Sequence, residues 1–402
     1  MNELFGVTRA PHAIIFGDGQ RHALGQVLAR MGKRALVCTD SRFATSAPMN
    51  AIRADLKKHG ISFIIFDGTQ AELPAAGIEE CVKFCGAFEP DVIVGVGGGS
   101  CMDMAKLVSL WLTHGHSLER FYGEFKVPGP IIPVVALPTT AGTGSEVTPV
   151  AVLADNARDL KVGISSPYLI PHTAICDPEL TLSCPPGLTA LSGADALTHA
   201  IEAFTAISHA RTPDLALQRV FVGKNLFSDQ HALTAIRAIF NFLPRAMANG
   251  NDSEARSMLM YGSVSAGLAF GVAGTAAAHA IQYPVGALTH TAHGLGVAAL
   301  LPYVMAFNTP CCLKEITEIG EVIGVERGGH EQMAAETIHR IRELCARIQI
   351  PRTLKDLGLQ EEKLDWVAEQ SMLSARLINN NPRKLEMPEV KQIVSNAYYG
   401  HH

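Results

Sequence analysis

The sequence predicts an α/β nucleotide-binding domain over residues 1–184, joined to an all-α domain over residues 185–402. Three observations carry that division. Short β-branched runs alternate with helical patterns through the first half. Strand patterns vanish after Pro185, next to a proline-rich hinge from Leu180 to Gly187. A chain of 402 residues also exceeds what one hydrophobic core usually serves.

The strands of the first half are His12–Phe16, Arg34–Cys38, Ile61–Phe66, Asp91–Val96 and Ile131–Ala136. Helical patterns fit between them: a stretch through Met31, then Ala47–His59, Ala75–Phe88 and Met102–His114. This alternation argues a parallel sheet covered on both faces. The second half reads as helices over Thr189–Ile207, Pro213–Phe227, Leu233–Ala248, Asp252–Phe270 and Thr275–Gln282. Further helices fit Gly294–Phe307, Lys314–Val322, His330–Ile348, Leu364–Leu373 and Lys384–Tyr399.

Composition narrows the partners. With 48% hydrophobic and 18% charged residues the chain is a packed globular protein rather than a disordered one. A net charge of −5 with no basic run argues against nucleic acid and anionic membranes. The N-terminus lacks a signal pattern, and no uninterrupted apolar run reaches membrane-spanning length. Nine cysteines without a CxxC pair read as reduced thiols in a cytoplasmic protein.

Two glycine loops point to a nucleotide. Gly97-Gly98-Gly99-Ser100 follows the fourth strand and opens a helix carrying Asp103 and Lys106. Glycines let the backbone approach a pyrophosphate, and the first free N–H groups of a helix point at it. The alternative is a plain strand-to-helix turn. Pro138 to Glu146 (PTTAGTGSE) forms a second such loop after the fifth strand, and the pair makes a crevice of the kind nucleotides occupy. Asp40 ends the second strand, where a carboxylate accepts bonds from an adenosine ribose and repels a 2′-phosphate. Asp40-Ser41 is equally good capping chemistry, and position alone does not separate the two.

The second half carries a candidate metal site. In the helix-forming stretch Ser192–Ala203, Asp195 and His199 stand four residues apart, so both lie on one face. His279 and His293 follow in the stretch Ala276–Gly294. One carboxylate and three imidazoles suit a divalent ion such as Fe²⁺ or Zn²⁺. The competing reading is that these are hydrogen-bonded core side chains, and the residues alone leave the two even. His209, His231 and His290 read as incidental, although His290 competes locally with His293. The terminal His401-His402 pair, native or a tag remnant, stands outside the metal argument.

Three motifs together carry a resemblance: GGGSxxDxxK (Gly97 to Lys106), PTTAGTGSE (Pro138 to Glu146) and GADALTHAIEA (Gly193 to Ala203). In their order and spacing, over about residues 10 to 400, the sequence resembles the iron-containing alcohol dehydrogenase family. The resemblance implies a dehydroquinate synthase-like two-domain architecture, with metal and substrate in the cleft. It implies that Gly98, Gly99, Ser100 and Asp103 form the pyrophosphate loop, and that Thr139, Thr140 and Thr143 form the second phosphate and nicotinamide loop. Thr148 and Lys161 match further cofactor contacts, and Asp40 the position that favours NAD over NADP. Asp195, His199, His279 and His293 match the metal ligands, iron being expected with zinc as the alternative.

Two departures stand out. Tyr283 occupies a position where a histidine linked to proton movement is common, so it is a candidate proton relay or a packing residue. No asparagine-proline segment is recognisable in Asp67–Pro74, so no adenine contact is assigned there. The expected activity is NAD-linked hydride transfer to or from a small alcohol or aldehyde, by a homodimer or larger homo-oligomer. A hydroxyacid–oxoacid transhydrogenase of the same family is the alternative. A lyase resembling dehydroquinate synthase would need a basic phosphate pocket that the sequence does not offer. A non-catalytic nucleotide-binding protein would have no use for the ligand set.

Overall fold

The computed structural model describes residues 4–401 apart from 116 and 156–159; His402 lies outside the described residues. The chain divides into two compact units, Arg9–Cys184 and Met1–Thr8 with Pro185–His402.

The first unit is built on a six-stranded parallel sheet. Its strands are β1 (Ala13–Phe16), β2 (Arg34–Cys38), β3 (Ser62–Phe66), β4 (Val92–Gly97), β6 (Val134–Pro138) and β9 (Thr173–Cys176). Strand order is β1-β9-β6-β4-β2-β3. A second sheet orders β5 (Gly123–Glu124), β8 (Leu160–Ser165) and β7 (Val150–Asp155). The long helices of this unit are α1 (Ala47–Lys58), α2 (Ala75–Cys85) and α3 (Gly99–His114).

Alternation along β2 sends its side chains into two cores. Ala35 and Val37 pack with Met49, Ile52 and Leu56 of α1 on one face. Leu36 and Cys38 pack with Ile78 and Cys81 of α2 and Met104 and Leu107 of α3 on the other. The chain leaves β2 toward β3 on one side and leaves β4 toward β6 on the other. The carboxyl ends of β2 and β4 therefore flank a topological switch point, where parallel sheets bind ligands.

Several sequence expectations need correction here. The strand expected at Ile131–Ala136 begins at Val134; Ile131 and Ile132 instead lie against the α2–α3 core. The β7–β8 hairpin and β9 were not expected. Of the described N-terminal residues, 4–8, which the sequence division assigns to the α/β half, group with the helical unit. Val7 N donates to Asn225 Oδ1 at 3.2 Å, and Leu226 N to Phe5 O at 2.9 Å.

The second unit is helical: α4 (Pro186–Thr205), α5 (Leu226–Ala248), α6 (Ser253–Ala273), α7 (Ala277–Thr289), α8 (His293–Val322), α9 (His330–Arg347), α10 (Leu364–Met372) and α11 (Met387–Tyr399). The helix expected over Pro213–Phe227 is not formed as one element; within it only Leu215–Gln218 and the first two residues of α5, Leu226 and Phe227, are helical. Gly223 has φ 75°, and Val222 N donates to Val272 O at 2.7 Å, so the buried 220–222 segment is tied to α6 outside any helix of its own. Helix α5 then starts under a capping box, in which Asn225 Oδ1 accepts from Phe227 N and Ser228 N. Helix α8 joins two expected helices through a kink at Cys312, with φ −138° and ψ 37°. Helix α8 is long and apolar enough to cross a membrane by length and composition, yet 72% of its apolar window is buried inside the protein, so it reads as a core helix.

Asn225 thus caps α5 and tethers the N-terminal segment. Asn225→Ala is expected to cost about 1–2 kcal/mol. It should lower the thermal midpoint and expose residues 4–8 to limited proteolysis; an unchanged midpoint and cleavage pattern would contradict the assignment.

Candidate metal centre and glycine loops

Helix α4 begins at Pro186, whose missing N–H is harmless in a first turn, and buries nearly every residue from Gly193 onward. Asp195 and His199 share one face of it. Helices α6 and α7 meet at a bend of 102° around Gly274, which has φ 82°. A Cβ on Gly274 would lie 2.9 Å from Asn380 Nδ2, so the corner admits only glycine without displacement. That corner turns His279, in the first turn of α7, back toward α4. His293 is the first residue of α8. A Cβ on Gly294 would lie 2.3 Å from Leu191 O, so glycine there lets α8 start against the backbone of α4.

The result is a convergence on one oxygen. Asp195 Oδ1 lies 3.7 Å from His199 Nε2, 3.7 Å from His279 Nε2 and 3.8 Å from His293 Nε2. These separations are too long for hydrogen bonds. They approach the spacing of neighbouring ligands that each sit about 2.0–2.2 Å from one ion. Ligand atoms of Asp195, His199 and His279 all lie within 4.8 Å of one another. His293 joins through Asp195, with its side chain 27% exposed. Asp195 Oδ1 and His279 Nε2 are buried without a hydrogen-bond partner. Leaving such atoms unsatisfied costs about 1–3 kcal/mol each, a cost that a shared cation removes. This chemistry fits a divalent metal.

The surroundings fix the rings. Phe270 of α6 stacks on His199 with centroids 4.1 Å apart, and His199 stacks on His279 at 4.7 Å. His279 Nδ1 lies 2.6 Å from Oε2 of Glu202, a buried carboxylate that the sequence reading did not single out. Glu202 lies seven residues after Asp195 and three after His199, so helical periodicity alone would have found it on the same face. Tyr283 lies one turn after His279, with its ring nearly parallel to that of His293 at 5.9 Å. Burial pushes its phenol above the usual range. His290 adopts φ 54° as the C-cap of α7 and is exposed, apart from the cluster.

Charge follows the same geometry. Burial pushes Asp195 up, but His199, His279 and His293 together outweigh it and hold its carboxyl below the usual range. Burial also opposes a charge on His279, yet Glu202 and Asp195 prevail and raise it to about 9.

In the α/β unit the two glycine loops face each other. Gly97 pairs with Pro138, and Thr139 N donates to Gly97 O at 2.9 Å. A Cβ on Gly99 would lie 2.8 Å from Thr143 Cγ2, and one on Gly98 3.7 Å from Thr140 Oγ1. The loops thus approach so closely at Gly99 that a side chain there would displace Thr143, whereas Gly98 faces Thr140 at ordinary contact distance, and the narrow cradle between them fits a phosphate chain. Ser100 lies in the first turn of α3, whose start has no side-chain cap.

Asp40 Oδ1 caps the turn at Ser41–Ala44 by accepting from Phe43 N at 2.9 Å. Its Oδ2 lies 3.9 Å from where a Gly97 Cβ would stand, at the switch point. Asp103 spends both oxygens within the unit: Oδ1 accepts from Ser145 Oγ at 2.5 Å and Oδ2 from Val152 N at 2.9 Å. Lys106 is fully buried, donating to Thr148 O and Val150 O at 3.1 and 2.8 Å. Burial lowers its pKa to about 8 and raises that of Glu146 beside it to about 7. Thr148 Oγ1 is buried without a hydrogen-bond partner. Lys161 on β8 pairs with Glu72.

Comparison with known proteins identifies the family. The family model for the iron-containing alcohol dehydrogenases matches residues 11–178, and that for the C-terminal part of the Fe-containing alcohol dehydrogenase family matches residues 189–398. The chain is 33% identical to long-chain-alcohol dehydrogenase 1 of Geobacillus thermodenitrificans (strain NG80-2) over 96% of this chain and 94% of that protein. It is 32% identical to the NAD-dependent methanol dehydrogenase of Bacillus methanolicus, over 96% of this chain and 98% of that one. A crystal structure of a 1,3-propanediol oxidoreductase superposes with a TM-score of 0.91 at 31% identity, covering 98% of this chain and all of that one.

The raised pKa of His279 predicts a pH dependence of the metal-free protein. A pKa above the unfolded value of 6.5 contributes stability that is fully present below 6.5 and lost as pH rises through about 9. The difference in unfolding free energy between wild type and His279→Gln should shrink over that window, by an amount on the order of 3 kcal/mol. A difference independent of pH from 6 to 10 would contradict it.

Proposed function

The chain belongs to the iron-containing alcohol dehydrogenase family, and from that premise we propose that it is a metal-dependent, NAD-linked oxidoreductase. Its reaction moves hydride between nicotinamide C4 and a small alcohol or aldehyde. The observation that carries this reading is the meeting of one buried carboxylate oxygen with three imidazole nitrogens at 3.7, 3.7 and 3.8 Å. Bound there, a divalent iron or zinc ion supplies Lewis acidity for an alcohol or carbonyl oxygen, and the nicotinamide supplies or accepts the hydride.

The protein's own groups do the rest. Asp195 contributes the single negative charge of the ligand set, which leaves a loaded site net positive and favours negative charge building on a substrate oxygen. Phe270 keeps water from the face of His199 that it covers. The Gly97–Ser100 loop and the uncapped start of α3 take the cofactor phosphates, with Thr140 and Thr143 lining the facing loop. Asp40 turns Oδ2 toward the ribose hydroxyls and repels a 2′-phosphate, which favours NAD over NADP. The name of the Bacillus methanolicus relative supports that choice.

Alcohol-dependent NADH formation, followed by absorbance with a panel of small primary alcohols, tests the reading. Turnover should vanish on chelation and return with Fe²⁺ or Zn²⁺. Asp195→Asn or His199→Ala should lower it about a hundredfold or more, the loss of several kcal/mol of Lewis-acid assistance at about 1.4 kcal/mol per decade. Metal-loaded protein that forms no NADH from any alcohol, and oxidises none with aldehydes present, would contradict it.

Tyr283 enters this reading as a packing partner of His293 rather than as a base, because its phenol stays protonated through neutral pH. Tyr283→Phe should therefore keep turnover within about twofold and leave the pH–rate profile in place. A tenfold loss with a shifted limb would assign proton transfer to its hydroxyl.

A further inference from the structure

Glu202 is buried on the same face of α4 as Asp195 and His199. Its carboxylate meets three donors at once. Oε2 accepts from Ala276 N at 2.9 Å and stands 2.6 Å from His279 Nδ1; Oε1 accepts from Ala278 N at 2.7 Å. Both backbone donors belong to the start of α7, whose own N-cap, Ala276, offers no side-chain acceptor. The missing cap of α7 is thus provided by a side chain of another helix.

That arrangement decides the state of His279. A carboxylate whose two oxygens already accept backbone N–H groups acts as an acceptor, so Nδ1 must carry the proton it shares with Glu202. Loss of the Nε2 proton on metal binding would then leave the lone pair at Nε2, the atom 3.7 Å from Asp195 Oδ1. The charge of Glu202 also makes that lone pair more basic. Because the same two oxygens hold Ala276 and Ala278 at the start of α7, ring orientation and helix start are set by one group.

We propose that Glu202 is a positioning residue for the metal centre: it fixes His279 as the Nδ1–H tautomer and raises the affinity of the site for a divalent ion. The inference rests on the metal reading above. Its test needs no turnover.

Metal-free wild type, Glu202→Gln and Glu202→Asp are titrated with Zn²⁺ against a chromophoric chelator. Cobalt-loaded samples are compared by their visible absorption. Glu202→Gln keeps the volume but places an amide donor against a backbone donor and removes the charge. Its Zn²⁺ affinity should fall about 10- to 100-fold, with an altered cobalt band. Glu202→Asp, which keeps the charge, should recover part of the affinity. A Zn²⁺ affinity within twofold of wild type in Glu202→Gln, with only the metal-free melting temperature lowered, would reduce Glu202 to a helix cap and overturn the proposal.

Should the variants not fold, Zn²⁺-loaded wild type labelled with ¹⁵N-histidine answers the same question. His279 protonated at Nδ1 with a strongly deshielded proton supports the proposal; protonation at Nε2 overturns it. Wild type that binds no Zn²⁺ overturns the metal reading together with the role of Glu202. Wild type that binds it as tightly as Glu202→Gln overturns Glu202 alone.

Discussion

The helical unit is arranged around one oxygen atom. Asp195 Oδ1 is buried without a hydrogen bond, and three imidazoles aim Nε2 at it from 3.7, 3.7 and 3.8 Å. A protein interior does not tolerate such an atom cheaply. Keeping it there requires three helices to approach closely, and the small residues at their contacts make this possible. Gly294 lets α8 begin against the backbone of Leu191, and Gly274 permits the turn between α6 and α7. The site is therefore a property of helix packing as much as of the four side chains.

The α/β unit solves a different problem with similar means. Gly97 at the end of β4 and Gly99 at the start of α3 would collide with Cys101 and Thr143 if they carried side chains, so the backbone stays bare where the proposed cofactor phosphates would lie. What stiffens those loops is polar and buried. Asp103 joins α3 to Ser145 and Val152, and Lys106 reaches across to the carbonyls of Thr148 and Val150. This network anchors the second loop from below while leaving its hydroxyl-bearing tip, Thr140 and Thr143, toward the first.

Much of this was legible in the residues, and the failures have physical causes. The strands β1 to β4 announce themselves because buried parallel strands are continuous β-branched runs. Strand β9, Thr173–Cys176, alternates β-branched with small residues rather than forming such a run, and β7 and β8 form a hairpin outside the main sheet. The helix expected from Pro213 to Phe227 lost to tertiary packing: Val222 hydrogen-bonds with Val272, and Gly223 supplies the positive φ that ends any helix there. In the site, Asp195 and His199 follow from a spacing of four on one helix. Choosing His293 over His290 does not follow from spacing, because it depends on where α7 stops and α8 starts. Asp103 was read as a phosphate-loop residue, whereas both its oxygens are engaged inside the unit; only coordinates reveal such partners. Glu202 lies on the same helical face, but a glutamate in a helix normally signals a solvated side, and its burial depends on how α7 packs against α4.

The central claim is that four side chains share one ion, and a crystal grown with iron, with diffraction recorded on both sides of the iron absorption edge, tests it most directly. The account predicts one anomalous peak, within about 2.0–2.3 Å of an Asp195 carboxylate oxygen and of Nε2 of His199, His279 and His293. A peak held by other residues, or none at this cluster in protein that has taken up iron, would contradict it.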